Sequence, residues 1–460
     1  MLDPAIFRMY DIRGVAGEQL TEDVAFLVGR ALGTRIRREG GKDAAVGRDV
    51  RRSSPDLARA AARGLARSGL RVLDLGEVPT PVLYHALHRL DLGGGIMVTG
   101  SHNPKSDNGL KLCLGREPLF GEAVSSLRTQ AEAGDFEEGE GEVDAYDHLP
   151  AYLDDVCGRF GFPAGLRVAV DCGNGVTGPV VLAALQRLGV EALALYCEPD
   201  GDFPNHLPDP EVPAYMEDLG RLVVSEHAVC GFGFDGDGDR VGVLDERGRK
   251  ISADKVLAVL ARDVLRMHPG GIVRYDVKCS DFLEDFIKRC GGKPVMGVTG
   301  HSLLKRDVKA LDAVIGGELS GHIVFNRGYL PIDDALYCAL YILGLVAHSG
   351  EQASALFADL PDLHSTHEIK IPCADAAKFD VVERLKARFA RDHEVNVIDG
   401  ARVSLGEGAW FLVRASNTTP NLTVRLEAPT REDLLKARDV LLEALREHAE
   451  VDPEPLAREV

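Results

Sequence analysis

Short apolar runs alternate with longer stretches of helical period along the first three quarters of the chain. A helix is predicted from about Thr21 to Arg38, then a strand at Ala44–Gly47, a polar turn from Arg48 to Ser54, a helix from about Pro55 to Ser68 and a strand at Leu70–Leu75. A further helix precedes the apolar run Ile96–Val98. Alternation on this scale predicts a largely parallel α/β sheet. The order returns twice. Strand Arg167–Asp171, turn Cys172–Thr177, helix Pro179–Leu188 and strand Glu191–Tyr196 form the second copy; strand Gly271–Val277, a helix to about Arg289 and a strand near Pro294–Val298 form the third. Three such units, spaced by about a hundred residues, predict a triplicated α/β domain. After Asp362–His367 the order becomes strand, helix, three strands and helix, a smaller α+β domain. The acidic, glycine-containing stretch Asp135–Asp147 reads as a linker, and Ser252–Lys255 opens the third unit. The expected domains are therefore 1–148, 149–253, 254–365 and 366–460.

Composition narrows the partners. A net charge of −19 argues against nucleic acid, whose binding needs a basic surface. An anion can still be bound where the few cations converge in one cleft. The longest apolar run, Ala335–Ala347, is shorter than the ~20 residues that span a bilayer and reads as a buried helix. Residues Met1–Asp11 lack the apolar segment of a secretory leader. Nine cysteines stand singly, with no Cys-x-x-Cys pair, so a reducing cytoplasm is the expected location.

Four loops carry candidate chemistry. In the first, Ile96–Val98 stops at Thr99-Gly100, and Ser101 follows where strand gives way to turn, with Gly100 expected to take an unusual backbone angle. Asn108-Gly109 is read as a second tight turn, leading to a strand with Lys111 near its start. A hydroxyl on a rigid turn beside a cation suits a phosphoryl group. The plain alternative is a hairpin serine bonded to its own backbone, and a Ser-His-Asp hydrolase lacks its Gly-x-Ser-x-Gly elbow here. The second loop sets Asp235, Asp237 and Asp239 at alternate positions of an extended segment, pointing one way. Three hard oxygen ligands suit Mg²⁺. An EF-hand is excluded because its sixth position is Arg240, not glycine, and strands flank the loop. Third, Glu318, Ser320 and His322 follow an apolar strand, where a carboxylate and a hydroxyl can grip sugar hydroxyls. Fourth, Arg414, Ser416, Asn417 and Thr418 lie between two strands, offering a guanidinium fork and a polar cradle for phosphate.

Together these motifs resemble the α-D-phosphohexomutase superfamily, most closely its phosphomannomutase/phosphoglucomutase branch. Residues Thr99–Pro104 match its phosphoserine loop, Asp235–Arg240 its metal loop, Gly317–His322 its sugar-binding loop and Arg414–Pro420 its phosphate-binding loop. The resemblance covers essentially the whole chain. It implies three related mixed α/β domains plus a C-terminal α+β domain of the TATA-box-binding-protein-like kind, around a central cleft. It implies a phosphorylated Ser101 and Mg²⁺ held by Asp235, Asp237, Asp239 and a phosphate oxygen on Ser101. Hexose 1-phosphate and 6-phosphate would interconvert through a hexose 1,6-bisphosphate. Arg13, Arg240 and Lys111 would stabilise charge, and Lys111 and His322 are both candidates for the proton-transferring group. Tyr10, Lys278 and His301 resemble cleft residues that hold the sugar phosphate. The implied partners are small sugar phosphates, with the chain a monomer or homodimer. Gly100, Leu319 and Ser416–Pro420 favour this branch over phosphoglucosamine mutase, the nearest enzymatic rival. A non-catalytic sugar-phosphate-binding protein would need neither Ser101 nor the three aspartates. One departure is Ala335 after Asp333-Asp334, where the family often has glycine; it is expected to alter only the start of the helix.

Overall fold

Strand Asp43–Arg48 pairs in parallel with Arg71–Glu77 on one side and Gly94–Val98 on the other. Asp107–Leu114 then lies antiparallel to Gly94–Val98. In this computed structural model, which describes residues 2–416 and 419–460, the same arrangement occurs three times. Its second copy runs Glu191–Leu195, Arg167–Asp171, Gly231–Phe234 and Val241–Leu244, the last pair antiparallel. Its third runs Lys293–Gly297, Ile272–Asp276, Ile315–Gly317 and Ile323–Phe325. Each unit therefore ends in a hairpin between its third and fourth strands. Those three hairpins are the serine loop, the aspartate loop and the Glu318–His322 loop.

Local chemistry explains the elements. Helix Glu22–Arg38 is capped by the Thr21 hydroxyl, which accepts from Val24 N, with acids in its first turn and Arg35, Arg37 and Arg38 in its last; this complements the helix dipole. Helix Ser54–Ala66 lies directly on it. A Cβ at Gly29 would come 2.3 Å from the Ala61 carbonyl oxygen, and one at Gly64 2.2 Å from that of Phe26, so these glycines permit backbone contact. Helix Ala335–Ser349 is apolar around most of its circumference and buried, capped by Asp334 and ended by Gly350 at φ +70°. One apolar core, containing Leu83, Val168, Leu257 and Leu340, runs through all three units.

The last domain is an antiparallel sheet. Asn421–Ala428 pairs with Ala409–Ala415 and Ile369–Pro372, and Ala401–Gly406 extends the sheet. Helices Lys378–Phe389 and Arg431–Leu445 cover one face, sharing a core with Phe411, Val413 and Val424. Strand alternation turns Trp410 and Leu412 to the other face, against Val277 of the third unit. Arg402 stacks 3.6 Å above Trp410 and donates to the Val277 and Cys279 carbonyls.

Two expectations need correction. Asn108-Gly109 is not a turn but part of strand Asp107–Leu114. A Cβ at Gly109 would sit 2.8 Å from the carbonyl oxygens of both Ile12 and Thr99, so the glycine serves close approach of strands. The Asp135–Asp147 stretch is no loose linker. Arg38 binds Asp135 and Glu137, and Val143–Ala145 adds a parallel strand beside Arg71–Glu77.

Candidate active site

All described candidate residues except Asp235 and Asp237 line a single cleft of about 940 Å³; those two are fully buried beside Asp239. Asn417 and Thr418 lie outside the described residues. The cleft draws its wall from all four domains.

Ser101 is buried and holds φ +48°. The unusual angle expected at Gly100 thus falls on the serine itself. Gly100 is required for room, since a Cβ there would lie 2.5 Å from Arg51 Nε and Cζ. The Ser101 amide donates to Thr99 Oγ1 at 2.8 Å, and its Oγ donates to Asp235 Oδ2 at 2.7 Å. The two loops touch: a Cβ at Gly236 would stand 2.3 Å from the Ser101 carbonyl oxygen.

The aspartate loop is a curled turn rather than an extended segment. Asp235 Oδ1 accepts from the backbone N–H groups of Gly238, Asp239 and Arg240, which winds the chain around that carboxylate. Lys111 Nζ donates to Asp237 Oδ2 at 2.6 Å and to Asp239 Oδ2 at 2.5 Å. Burial would lower the Lys111 pKa, but Asp237, Asp239 and Asp235 outweigh it and the net shift is upward. Burial, then Asp239 and Asp237, push the Asp235 carboxyl up to about 8. The three aspartates bring ligand oxygens within 4.8 Å of one another. Asp237 Oδ1 and Asp239 Oδ1 are buried and, among the described residues, have no hydrogen-bond partner, a costly state for carboxylate oxygens. Hard oxygens, crowded negative charge and orphaned acceptors fit a divalent cation such as Mg²⁺.

Cations surround this cluster. Arg240 Nε lies 3.2 Å from Asp235 Oδ2, and its Nη1 faces Asp209 and Glu211 at 3.5 and 3.6 Å. Its Nη2 is buried and, among the described residues, has no hydrogen-bond partner. Arg13 pairs with Asp11 at 2.5 Å and donates to Asn103 Oδ1. His322 Nδ1 sits 3.2 Å from Asp333 and 3.7 Å from Asp239. Burial would lower its pKa; Asp239 and Asp333 outweigh that and raise it. His301 stacks on His322 with centroids 5.4 Å apart. Its own pKa is held well below the ordinary value by burial, then by Lys305 and Lys111.

Glu318 Oε1 accepts from Gly300 N at 2.6 Å, and Oε2 accepts from the Ser320 hydroxyl at 3.2 Å. The Tyr10 hydroxyl donates to the Thr299 carbonyl at 2.5 Å. Lys278 Nζ meets Glu368 at 2.6 Å. Arg414 holds Asp399 through Nε at 3.1 Å and Nη2 at 3.0 Å, while the Ser416 and Thr419 hydroxyls lie 2.8 Å apart.

Sequence reasoning missed the anions that hold these cations. Asp333 is fully buried and pairs with Lys305 at 2.7 Å as well as with His322. Its signal is the acidic pair Asp333-Asp334 before the apolar helix, where only the following Ala335 carried an expectation. Glu368 and Asp399 stand outside any motif and had no signal.

Four consecutive stretches match domain patterns of phosphoglucomutase/phosphomannomutase: alpha/beta/alpha domain I over residues 4–138, domain II over 150–248, domain III over 252–364 and the C-terminal domain over 368–444. A phosphomannomutase/phosphoglucomutase of Pseudomonas aeruginosa is 42% identical over 447 residues, 97% of this chain and 96% of that protein. A phosphoglucomutase of Neisseria gonorrhoeae is 40% identical over 431 residues, 93% of each chain. The crystal structure of a phosphoglucomutase/phosphomannomutase family protein from Burkholderia thailandensis superposes with a TM-score of 0.91 at 37% identity, covering 97% of this chain and 98% of that one.

Proposed function

The chain belongs to the phosphoglucomutase/phosphomannomutase family, and from that premise we propose that it interconverts the 1-phosphates and 6-phosphates of mannose, glucose or both by way of a phosphorylated Ser101. The observation that carries this reading is the Ser101 hydroxyl, 2.7 Å from Asp235 within the three-aspartate cluster. In the forward half-reaction the bond between phosphorus and Ser101 Oγ breaks as phosphorus bonds to the free sugar hydroxyl, whose proton passes to a base. The hexose 1,6-bisphosphate reorients and returns its other phosphoryl group to Oγ, with the proton moving the opposite way.

Asp235, Asp237 and Asp239 would hold Mg²⁺, which when bound neutralises charge on the transferring group. Arg13, Lys111 and Arg240, bonded to Asn103, Asp237 and Asp239, and Asp235 respectively, would supply cationic donors to the transferring group, and positioning plus charge stabilisation is most of what phosphoryl transfer asks of a protein. Of the two candidate proton carriers we assign the role to His322. Both line the cleft beside carboxylates that outweigh burial and raise their pKa values, but an imidazole starts from about 6.5 and a lysine amine from about 10.4, so His322 releases its proton the more readily. Glu318 and Ser320 would bind sugar hydroxyls. Tyr10, Lys278, His301, Arg414 and Ser416, with Asn417 and Thr418, would hold the phosphate that is not reacting. The domain limits 1–148, 149–253, 254–365 and 366–460 belong to the same proposal, each domain carrying one loop. All nine cysteines are free thiols, which suits the cytoplasmic setting proposed.

The test is intact-protein mass with peptide mapping, expected to find a phosphoryl group on Ser101, together with Ser101→Ala. That variant should lose turnover and still bind hexose phosphate in a calorimetric titration. Unchanged turnover would refute the assignment.

A further inference from the structure

Arg51 is not among the residues that line the cleft, yet four of its five guanidinium donors are spent on the serine loop. Its side chain is 0% exposed. A guanidinium carries five N–H donors in a fixed planar fork, and here all five have acceptors. Nε donates to Asp49 Oδ2 at 3.1 Å, Nη1 to the carbonyls of Pro104 at 2.6 Å and Asp107 at 3.0 Å, and Nη2 to the carbonyls of Ser101 at 2.8 Å and Asn103 at 2.7 Å. Four of the five acceptors are main-chain oxygens of residues 101–107. Asp49 completes the grip from the other side: its Oδ2 accepts from Gly100 N at 3.1 Å, and its Oδ1 is held by Arg51 N and the Ser54 hydroxyl.

Ser101 sits in the left-handed region at φ +48°, where a non-glycine residue stays only if its surroundings enforce it. Its amide is fixed by Thr99 and its carbonyl by Arg51. The guanidinium plane therefore sets the direction in which Oγ leaves the backbone. The second domain seals the arrangement, with the Phe203 ring 5.1 Å from the Arg51 guanidinium.

We propose that Arg51 is a positioning residue for phosphoryl transfer, which fixes the Ser101 carbonyl and thereby the line of attack at Oγ without touching substrate. This rests on the reading of Ser101 as the phosphoryl carrier. A lysine keeps the charge but cannot reproduce the fork, and misplacing a reacting atom by about 1 Å lowers rates by about 100-fold.

The experiment compares Arg51→Lys and Gly100→Ala with the unmodified protein by thermal unfolding, by kcat and KM for hexose 1-phosphate, and by the rate at which hexose 1,6-bisphosphate phosphorylates Ser101. Gly100→Ala drives a Cβ into the guanidinium while leaving the buried charge in place. Both variants are expected to fold, to keep KM within about two-fold and to lose about 100-fold in kcat and in serine phosphorylation. Wild-type kcat in either variant would overturn the proposal, and so would a loss confined to KM. If Arg51→Lys does not fold, Gly100→Ala decides; its failure to fold as well would make the clamp a requirement of the fold and overturn the positioning role. Absence of phosphate from Ser101 in the unmodified protein after incubation with bisphosphate would instead sink the underlying assignment of the serine.

Discussion

Replacing Arg414 by alanine tests whether the last domain grips the phosphate that is not being transferred. Arg414 is 7% exposed and lines the cleft. Its Nε and Nη2 are engaged by Asp399 Oδ2 at 3.1 and 3.0 Å, which aims the planar group and, among the described residues, leaves Nη1 without a protein partner. A hydrogen bond from a charged donor contributes about 1.5–3 kcal/mol, and about 1.4 kcal/mol is tenfold in affinity. Loss of this contact should therefore raise KM by about 10- to 100-fold. Because the gripped phosphate is remote from the bond that breaks, it is held equally in ground and transition states, and kcat should change little. Initial-rate kinetics for glucose 1-phosphate and mannose 1-phosphate check this. Arg414→Lys should show a smaller KM rise, since it keeps the charge and loses the fork. A KM within about two-fold of the unmodified enzyme, or a loss falling wholly on kcat, would refute the reasoning.

The remaining predictions concern charge within the cleft. The metal-free protein carries a raised carboxyl at Asp235, near 8, against about 3.9 in an unfolded chain. Between those values the native state binds the extra proton, so stability falls as pH rises from about 4 to about 8. A divalent cation needs the carboxylate, so its binding at pH 7 should release about one proton; calorimetric titration in buffers of differing ionisation enthalpy measures this, and zero release would contradict the raised carboxyl. Asp333→Asn should destabilise the protein by about 3–5 kcal/mol, because it leaves Lys305 buried without its counter-ion. Denaturant unfolding monitored through the first three domains checks it, and a change below about 1 kcal/mol would show that Lys305 finds another partner.

The loops were legible because their chemistry is local. Asp235, Asp237 and Asp239 lie within five residues, and Ser101 stands at the end of an apolar strand. Geometry beyond the neighbouring residues was not legible. Asn108-Gly109 has turn composition, yet it is strand because Gly109 must pass two carbonyl oxygens at close range. Asp135–Asp147 has linker composition, but Arg30 and Arg38 from a helix about a hundred residues earlier bind its acids. The pairing roles of Asp333, Glu368 and Asp399 were not legible because each is defined by a cation outside its own motif or neighbourhood: Lys305, Lys278 and Arg414. Arg51 looked like part of a polar turn, and its acceptors are backbone oxygens that any sequence would supply.

The recurrence of one hairpin in three successive sheets makes this cleft modular. The proposed phosphoryl carrier, cation cradle and sugar clamp each hang from an equivalent pair of strands, so a change of length in one hairpin would displace that loop and leave its counterparts in register. A division of labour of this kind would let a chain alter which sugar it grips through Glu318 and Ser320, while His322 on the same hairpin keeps the proton transfer at Ser101 as it is.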